Sequence, residues 1–272
     1  MNIKKNIAIY CVTYNSYKEL DGYYNSIKSC LPCCNNCDVD FFVADNTEAG
    51  FKSIALEASD HMHPHVFEYH KNMGYFGAIH QMMTETEPSK YDYVILSNVD
   101  VMAGKQALDS LCKVNSDNHV GWIAPQIYSL KEKRDLNPAI MTRYSKNRLM
   151  ALRLLYKYPL LLWLYENTLY KRKKIGSNVA KSCGGEIYAG HGSFIILTKE
   201  YIQQCGIINY PVFLYDEELY LAEECRSHGL KVVHEPSIVI VDIGKVSTGK
   251  MPSDFYCKCN EEGINYILNK YY

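Results

Sequence analysis

The chain has 272 residues, of which 47% are hydrophobic and 22% are charged. These fractions are typical of a soluble globular protein that can bury a full core, and the length admits one large domain or two small ones. The 29 basic and 30 acidic side chains leave a formal net charge of -1. Because nucleic-acid-binding domains usually carry a basic excess, we expect no nucleic-acid partner.

The first residues, "MNIKKNIAIYCVTYN", lack the pattern of an export signal. Their apolar run is short and ends in Thr13, Tyr14 and Asn15. A signal peptide needs a longer apolar centre and a small-residue cleavage site. No stretch approaches the ~18 uninterrupted apolar residues of a membrane span. We therefore expect a cytoplasmic protein whose eleven cysteines are free thiols.

Strand and helix patterns alternate through the first half of the chain. Strands are predicted at 6–15, 39–46, 65–72 and 91–101, and another follows in "VGWIAPQIY". Helices are predicted at 17–29, from Gly74 onward, and at about 105–115. Strands separated by helices favour a parallel, doubly wound sheet.

Four cysteines lie close together in "CLPCCNNC", namely Cys30, Cys33, Cys34 and Cys37. Each outer pair has the C-x-x-C spacing that can supply two thiolates to zinc. A tetrahedral site usually takes its two ligand pairs from separated segments, and four ligands in one short loop would strain the backbone. We interpret the cluster as a cysteine-rich loop between a helix and a strand, with zinc as the less favoured alternative.

A polar residue ends each of four consecutive predicted strands. These residues are Asn15, Asp45, Asn72 and Asp100. One polar strand end is typical of a turn, but ligands of open α/β sheets bind at the carboxyl ends of the strands, and four such ends indicate a site. Gly74 and Gly77 follow Asn72 and suit close backbone approach to a phosphate or a sugar.

Residues 146–174 are rich in basic and aromatic side chains. They contain eight lysines and arginines against the single acid Glu166. Pro159 is expected to split the segment into two helices. Basic residues interleaved with Trp163 and several tyrosines predict a surface that contacts an anionic membrane. The alternative is a basic excursion that packs on the body of the protein or on a second subunit.

Three consecutive acids, Asp216, Glu217 and Glu218, open a predicted helix that Gly229 closes. Helical spacing places Glu218 on an apolar stripe. Its members are Leu214, Glu218, Leu221, Ala222 and Cys225. Asp216 instead shares a polar, solvent-like face with Tyr220, Glu223 and Ser227. A carboxylate on a buried face suits a general base, whereas an acidic first turn favoured by the helix dipole is the simpler alternative.

Seven motifs occur in the order of a known family. They are "VTYNS", "VADN", "KNMGYFGA", "SNVDV", "AGHGSFI", "FLYDEELYLAEECRSHG" and "PSIVIVDIGKVSTG". From about residue 5 to 250 the chain resembles bacterial family 2 glycosyltransferases, especially the rhamnosyltransferase-like members that build O-antigen or capsule. The resemblance implies an α/β protein of GT-A fold, with a doubly wound, mostly parallel central sheet and helices on both faces.

The implied organisation is one catalytic domain over residues 1–250. It comprises a nucleotide-binding half at about 5–128, a basic helical insertion at about 140–178 and an acceptor and catalytic half at about 183–250. A C-terminal helical segment occupies 251–272.

The resemblance implies inverting sugar transfer from a nucleotide-diphosphate donor, with Mn²⁺ or Mg²⁺. The residues placed around the donor are Thr13, Tyr14, Asn15, Asp45, Lys71, Asn72, Gly77 and Asn98. The residues placed on the acceptor side of the site are His191, Asp216 and Lys245. Asp100 stands at the metal carboxylate, and Asp242 stands where the family has a metal-site histidine. Glu218 occupies the general-base position, and Glu217 is the alternative there.

The expected partners are a nucleotide-diphosphate sugar and a glycan or polyprenyl-linked acceptor at the inner face of the cell membrane, and the prediction allows for a homodimer. Two other functions compete. A sugar-phosphate nucleotidyltransferase should have a glycine-rich loop after the first strand, and "CVTYNSYKEL" has no glycine. A catalytically degenerate scaffold for polysaccharide assembly is the second alternative.

Overall fold

A computed structural model describes residues 4–34, 36–114, 117–165, 184–244 and 253–272. Within these ranges ten strands form one sheet. The strands are β1 (Lys5–Thr13), β2 (Cys37–Asp45), β3 (Met62–Glu68), β4 (Tyr93–Ser97), β5 (Val101–Ala103), β6 (Val120–Ser129), β7 (Arg134–Asp135), β8 (Gly185–Ile187), β9 (Phe194–Thr198) and β10 (Lys231–Asp242). The helices are α1 (Tyr17–Lys28), α2 (Tyr75–Glu85), α3 (Ala107–Lys113), α4 (Lys146–Lys157), α5 (Pro159–Tyr165), α6 (Lys199–Cys205), α7 (Glu217–Ser227) and α8 (Ser253–Tyr271).

The main path of the sheet has the order β3-β2-β1-β4-β9-β6-β10-β5. Strands β1 to β4 pair in parallel, as do β6 and β10. Strand β9 is antiparallel to both β4 and β6, and the short strand β5 is antiparallel to β10. The prediction of an α/β fold with a mostly parallel sheet is confirmed.

Two of the predicted strand ends needed correction. The third strand ends at Glu68, so Lys71 and Asn72 lie in the loop that precedes α2. The fourth strand stops at Ser97, and Asp100 lies in a turn before β5. Because β1 to β4 are parallel, the residues that follow them still lie at one edge of the sheet.

Helices cover both faces of the sheet. Alternation along β1 sends Ala8 and Tyr10 to one face and Ile7 and Ile9 to the other. The first face packs against apolar residues of α2, α6, α7 and α8. The second face packs against α1 and α3. Apolar residues on alternate sides of the strands therefore specify the layered architecture.

Helix α7 is buried more completely than its sequence pattern predicts. Tyr220 is 2% exposed and Glu223 is fully buried, so the expectation of a solvent-like face was wrong. Helix α8 covers α7, and Glu223 forms ion pairs with Arg143 and Arg226. A charged residue can lie on a covered helix face when cationic partners satisfy its oxygens.

The basic segment forms two helices as far as Tyr165. Pro159 is the first residue of α5, which confirms the predicted break. The part of the segment from 166 to 174 lies outside the described residues. Among the helices that the structure describes, none combines the length and the apolar character needed to cross a membrane.

Candidate functional site

A cavity of about 280 Å³ opens at the carboxyl edge of the sheet. Its walls come from the loops after β1, β2 and β4, the start of α2, the loop before β9 and the segment that leads into α7. The sequence-predicted residues that line it are Tyr14, Asn72, Asn98, Asp100, His191, Glu217 and Glu218. The structure thus brings together residues from both halves of the chain.

Asn98 and Asp100 enter the cavity because the chain turns between β4 and β5. The Asn98 N–H donates to the Ser193 carbonyl at 3.0 Å, which joins this turn to the loop before β9. The Ile243 N–H donates to the Asp100 carbonyl at 3.1 Å. These two backbone bonds fix the position of the turn between two distant segments.

The pairing of β5 with β10 brings Asp100 close to Asp242. Asp242 is opposite Val101 in this ladder, so it adjoins the turn that carries Asp100. Burial, followed by repulsion from Asp242, raises the pKa of Asp100 to about 6. Gly244 N–H donates to Asp242 Oδ1 at 2.9 Å. The two acids form a local concentration of negative charge at the cavity.

This pair fits a hard divalent cation. Carboxylate oxygens are the ligands that Mg²⁺ and Mn²⁺ prefer, and a cation would relieve the repulsion that raises the pKa of Asp100. Among the described residues, no Lys, Arg or His side chain pairs with either acid. The role of Asp242 as a metal ligand stays a prediction.

Glu218 contacts the loop before β9 through a short backbone bond. The Gly192 N–H donates to Glu218 Oε1 at 2.9 Å. A Cβ at Gly192 would lie 2.7 Å from the same oxygen, so only glycine allows this approach. Among the described residues, none donates a hydrogen bond to Oε2. The carboxylate is therefore oriented by one oxygen while the other remains able to accept a proton.

Two left-handed residues precede α7. Tyr215 has φ 74° and Asp216 has φ 60°, which is unusual for residues with a side chain. The Glu217 carboxylate accepts from the Tyr215 N–H at 3.0 Å and so stabilises this turn. Backbone conformations of this kind cost about 1–3 kcal/mol each and concentrate at functional sites. The turn aims the start of α7 at the cavity.

Burial shifts the pKa values of two of the three consecutive acids. It raises the pKa of Asp216 and of Glu217 to about 8, and the charge of Glu218 adds to both shifts. At pH 7 Asp216 and Glu217 are therefore mostly protonated. Asp216 Oδ2 is buried without a hydrogen-bond partner among the described residues. Glu218 differs from both in that its side chain lines the cavity and is at the same time only half-buried.

Gly74, and not Gly77, is the glycine that the local geometry requires. Gly74 has φ 75°, and a Cβ there would lie 2.1 Å from the Phe213 carbonyl oxygen. Gly77 lies inside α2, where a Cβ would have 3.5 Å to its nearest neighbour, and it does not line the cavity. Asn46 donates to the Gly74 carbonyl at 3.1 Å, and Asn72 accepts from the Gly74 N–H at 3.2 Å.

Several other predicted donor residues lie behind the cavity wall or beside it. Asp45 is fully buried and accepts hydrogen bonds from the Tyr17 hydroxyl and the Thr47 N–H. Thr13 is also fully buried, whereas Asn15 and Lys71 are exposed. None of these four is among the cavity-lining residues that the structure describes. Their roles stay predictions, and Lys245 lies outside the described residues.

His191 is fixed within the loop before β9. The ring atom Nδ1 of His191 accepts from the Ser193 backbone N–H at 3.2 Å, and the His191 backbone N–H donates to Asn137 Oδ1 at 2.8 Å. With Nδ1 accepting, the proton of the neutral ring is on Nε2. The ring can therefore offer a hydrogen-bond donor to a ligand in the cavity.

Gly74, singled out from the sequence, lines the cavity, but part of the lining was not predicted. The residues not predicted include Val12, Ser16, Asn46, Tyr75, Ser193, Phe213 and Tyr215. Asn46 directly follows a strand that ends in Asp45, which is the same signal that identified its neighbour. Phe213 and Tyr215 precede a helix in an irregular segment, where periodicity gives no indication of side-chain direction.

No protein-family model and no curated protein matches the sequence. The structure is similar to a mannosyltransferase from Pyrobaculum calidifontis in complex with GDP-Man and Mn²⁺. The TM-score is 0.52 at 12% identity, over 98% of this chain and 72% of that one.

Two further solved structures are similar. GalNAc-T7 with UDP, GalNAc and Mn²⁺ gives a TM-score of 0.55 at 9% identity, over 92% of this chain and 45% of that one. TarS from S. aureus gives a TM-score of 0.54 at 11% identity, over 96% of this chain and 39% of that one. The chain thus spans less than half of the length of these two proteins. The chain has the GT-A-like fold of these glycosyltransferases, which confirms the predicted fold class.

The raised pKa of Asp216 predicts a pH-dependent effect of Asp216→Asn. In the unfolded chain this acid ionises near 3.8, whereas in the folded chain its pKa is about 8. The folded state therefore binds more protons between these values, and the free energy of unfolding of the wild type falls as pH rises. Asparagine has no proton to lose. Its stability relative to the wild type should increase by at least about 1 kcal/mol between pH 5 and pH 8, measured by urea unfolding.

Asp60→Asn, at an exposed carboxylate, is the matched control and should show a constant difference from the wild type. If the Asp216→Asn difference is equally constant across this pH range, Asp216 is not held protonated by the fold.

Proposed function

We propose that this protein is an inverting glycosyltransferase. In this proposal it moves a sugar from a nucleotide-diphosphate donor to a hydroxyl group of a growing glycan or lipid-linked acceptor in surface polysaccharide biosynthesis. The observation that carries the proposal is that Asp100 and Glu218 line the same cavity. Asp100, beside Asp242, suits a divalent cation, and Glu218 has one oxygen positioned by a backbone N–H and the other unoccupied by the described residues.

The cavity has the features of a donor site. Tyr14, Tyr75 and Phe213 offer aromatic surface to a base or a sugar ring, while Asn46 and Asn72 supply amide groups. The similar structures contain GDP-Man or UDP together with Mn²⁺, which supports a nucleotide-sugar donor. Asp100 and Asp242 would hold Mn²⁺ or Mg²⁺, and such an ion, when bound, would offset the negative charge that develops on a diphosphate leaving group.

The proposed chemistry needs one base. Glu218 Oε2 accepts the proton of the acceptor hydroxyl as its oxygen attacks the anomeric carbon. The bond from that carbon to the diphosphate oxygen breaks on the opposite side, so the configuration inverts. A glycoside hydrolase would instead need two carboxyl groups that flank the glycosidic bond. The Gly192 N–H holds Glu218 in orientation, and His191 is available to position a hydroxyl of the ligand.

Glu218 is favoured over Glu217 as the base. Glu217 is 8% exposed, and its raised pKa keeps it mostly protonated at pH 7. Its Oε1 accepts from the Tyr215 N–H. Glu217 therefore acts as a structural element of the turn before α7, whereas Glu218 has an oxygen that no described residue occupies and that can reach an acceptor in the cavity.

A peripheral membrane contact belongs to the same proposal. Helix α5 exposes Leu160 at 70% and Trp163 at 59%, and α4 carries four basic side chains. Apolar side chains next to a basic helix match the chemistry of an anionic lipid surface. This contact would place a cytoplasmic enzyme at the inner face of the cell membrane, next to a lipid-linked acceptor.

Asp100→Ala should abolish metal-dependent donor binding. The wild type is screened with UDP-, GDP- and dTDP-sugars in the presence of Mn²⁺, and thermal stabilisation and nucleotide release are measured. At least one donor should respond, and only when the metal is present. Asp60→Ala, at an exposed acid remote from the cavity lining, should respond as the wild type does. Metal-dependent donor binding that persists in Asp100→Ala would contradict the assignment, and a wild type that responds to no donor would favour the scaffold alternative.

Glu218→Gln should lower turnover by about 10²- to 10⁴-fold, which is the usual contribution of a general base, and leave donor affinity largely unchanged. Glu217→Gln is the matched comparison, because its side chain is already mostly neutral at pH 7 and glutamine can accept the same Tyr215 hydrogen bond. Glu217→Gln should lower turnover by less than about 10-fold. Turnover and donor binding are measured separately for both variants. If Glu217→Gln causes the larger loss of turnover, the base is Glu217.

Leu160→Glu combined with Trp163→Glu should release the protein from anionic vesicles. The wild type should sediment with vesicles that contain phosphatidylglycerol, less so at high salt, and not with phosphatidylcholine vesicles. Met141→Glu, which changes another exposed apolar side chain at 59%, is the control and should still bind. A wild type that never sediments with anionic vesicles rules out the membrane contact.

A further inference from the structure

Three cysteines from separate parts of the chain meet near the amino-terminal ends of the strands. Cys34 follows the short 3-10 helix Leu31–Cys33, Cys37 is the first residue of β2, and Cys112 lies on α3. The Sγ atoms of Cys34 and Cys112 are 3.6 Å apart, and all three sulfur atoms lie within 4.8 Å of one another. Cys34 and Cys37 are buried, and Cys112 is half-buried.

These distances are close to those of a zinc ligand set. With Zn–S bonds of about 2.3 Å in a tetrahedron, the sulfur atoms are about 3.8 Å apart. The three thiols would reach this spacing with shifts of about 1 Å or less. A disulfide needs a sulfur–sulfur distance of about 2.05 Å and would use only two of the three.

This set of three cysteines differs from the four loop cysteines considered from the sequence alone. Cys33 is exposed, and the Cys30 thiol donates to the carbonyl oxygens of Ser26 and Gly104. Cys112 instead arrives from a helix far along the chain. The objection that four ligands within one short loop would strain the backbone does not apply to this set.

The chemistry of the three thiols also suits a soft cation. Cysteine sulfur binds zinc as the thiolate, and metal binding displaces the thiol protons.

We propose that Cys34, Cys37 and Cys112 bind one zinc ion, with a water molecule at the half-buried side as the fourth ligand. Thiolates select zinc over the hard cations that the cavity carboxylates prefer. Strand β2 runs from Cys37 to Asp45, so about 26 Å of strand separates this site from the carboxyl edge. The zinc ties the loop after α1 to α3, and it acts independently of the proposed transfer reaction.

Cobalt titration of the full chain tests this site. The reduced, chelator-treated protein is titrated with Co²⁺ as a spectroscopic probe and then with Zn²⁺. One equivalent of Co²⁺ should produce thiolate-to-metal absorption in the near ultraviolet, and one equivalent of Zn²⁺ should abolish it and raise the melting temperature by several degrees. Co²⁺ at oxygen ligands such as Asp100 gives no such absorption, so this result does not depend on the proposed function.

Cys112→Ser should weaken zinc binding by at least about 10-fold, because it removes one of three thiolates. Cys33→Ser changes an exposed thiol of the same loop and should leave the affinity unchanged. The wild-type cobalt spectrum decides the question even if Cys112→Ser fails to fold. The proposal is overturned if the wild type shows no thiolate-to-cobalt absorption or if Cys33→Ser loses as much affinity as Cys112→Ser. A Cys34–Cys112 disulfide with no zinc uptake after reduction would also overturn it.

Discussion

The site depends first on how strand β9 is placed in the sheet. β9 lies antiparallel between β4 and β6, and it extends a sheet whose first four strands are parallel. The loop that precedes β9 therefore lies at the carboxyl edge, next to the end of β4. The hydrogen bond from Asn98 N–H to the Ser193 carbonyl is a continuation of that ladder. Without this pairing, Gly192 and His191 would have no fixed relation to Asp100.

The loop placed by β9 then determines the position of the proposed base. Gly192 presents its N–H to Glu218 at the start of α7, and the left-handed turn at Tyr215 and Asp216 sets the direction of that helix. Helix α8 makes room for the turn at Gly263, where a Cβ would lie 2.6 Å from Asp216 Oδ2. The strained turn is thus maintained by packing from elements that follow it in the chain, which is how a functional site keeps an unfavourable backbone conformation.

Local sequence patterns predicted the features that depend on one element. β-branched runs located β1 and β2, and Pro159 separated two helices. The expectation that Glu218 lies on the buried face of the helix and Asp216 on a solvent-like face was wrong, because α7 begins only at Glu217, and Glu217 is the buried acid of its first turn. Such patterns could not predict which residues a later helix or loop buries. Glu223 looked solvent-exposed until α8 and Arg143 were in place, and Gly74 and Gly77 were equivalent until Phe213 approached one of them. Contacts between distant segments therefore account for most of the differences.

Two groups of acids lie in or beside the cavity, namely Asp100 with Asp242 and the run from Asp216 to Glu218. The same physical effects shift the pKa values in both groups, but to different extents. Burial and mutual repulsion act on both. In the run before α7 the described surroundings offer Asp216 no cation, and burial together with the nearby Glu218 raises the pKa of Asp216 and of Glu217 to about 8. At the β5–β10 ladder the backbone holds Asp100 beside Asp242, and the pKa of Asp100 rises only to about 6. At neutral pH Asp100 is therefore mostly ionised. Burial and repulsion from neighbouring acids therefore place the pKa of Asp100 below 7 and the pKa values of Asp216 and Glu217 above it.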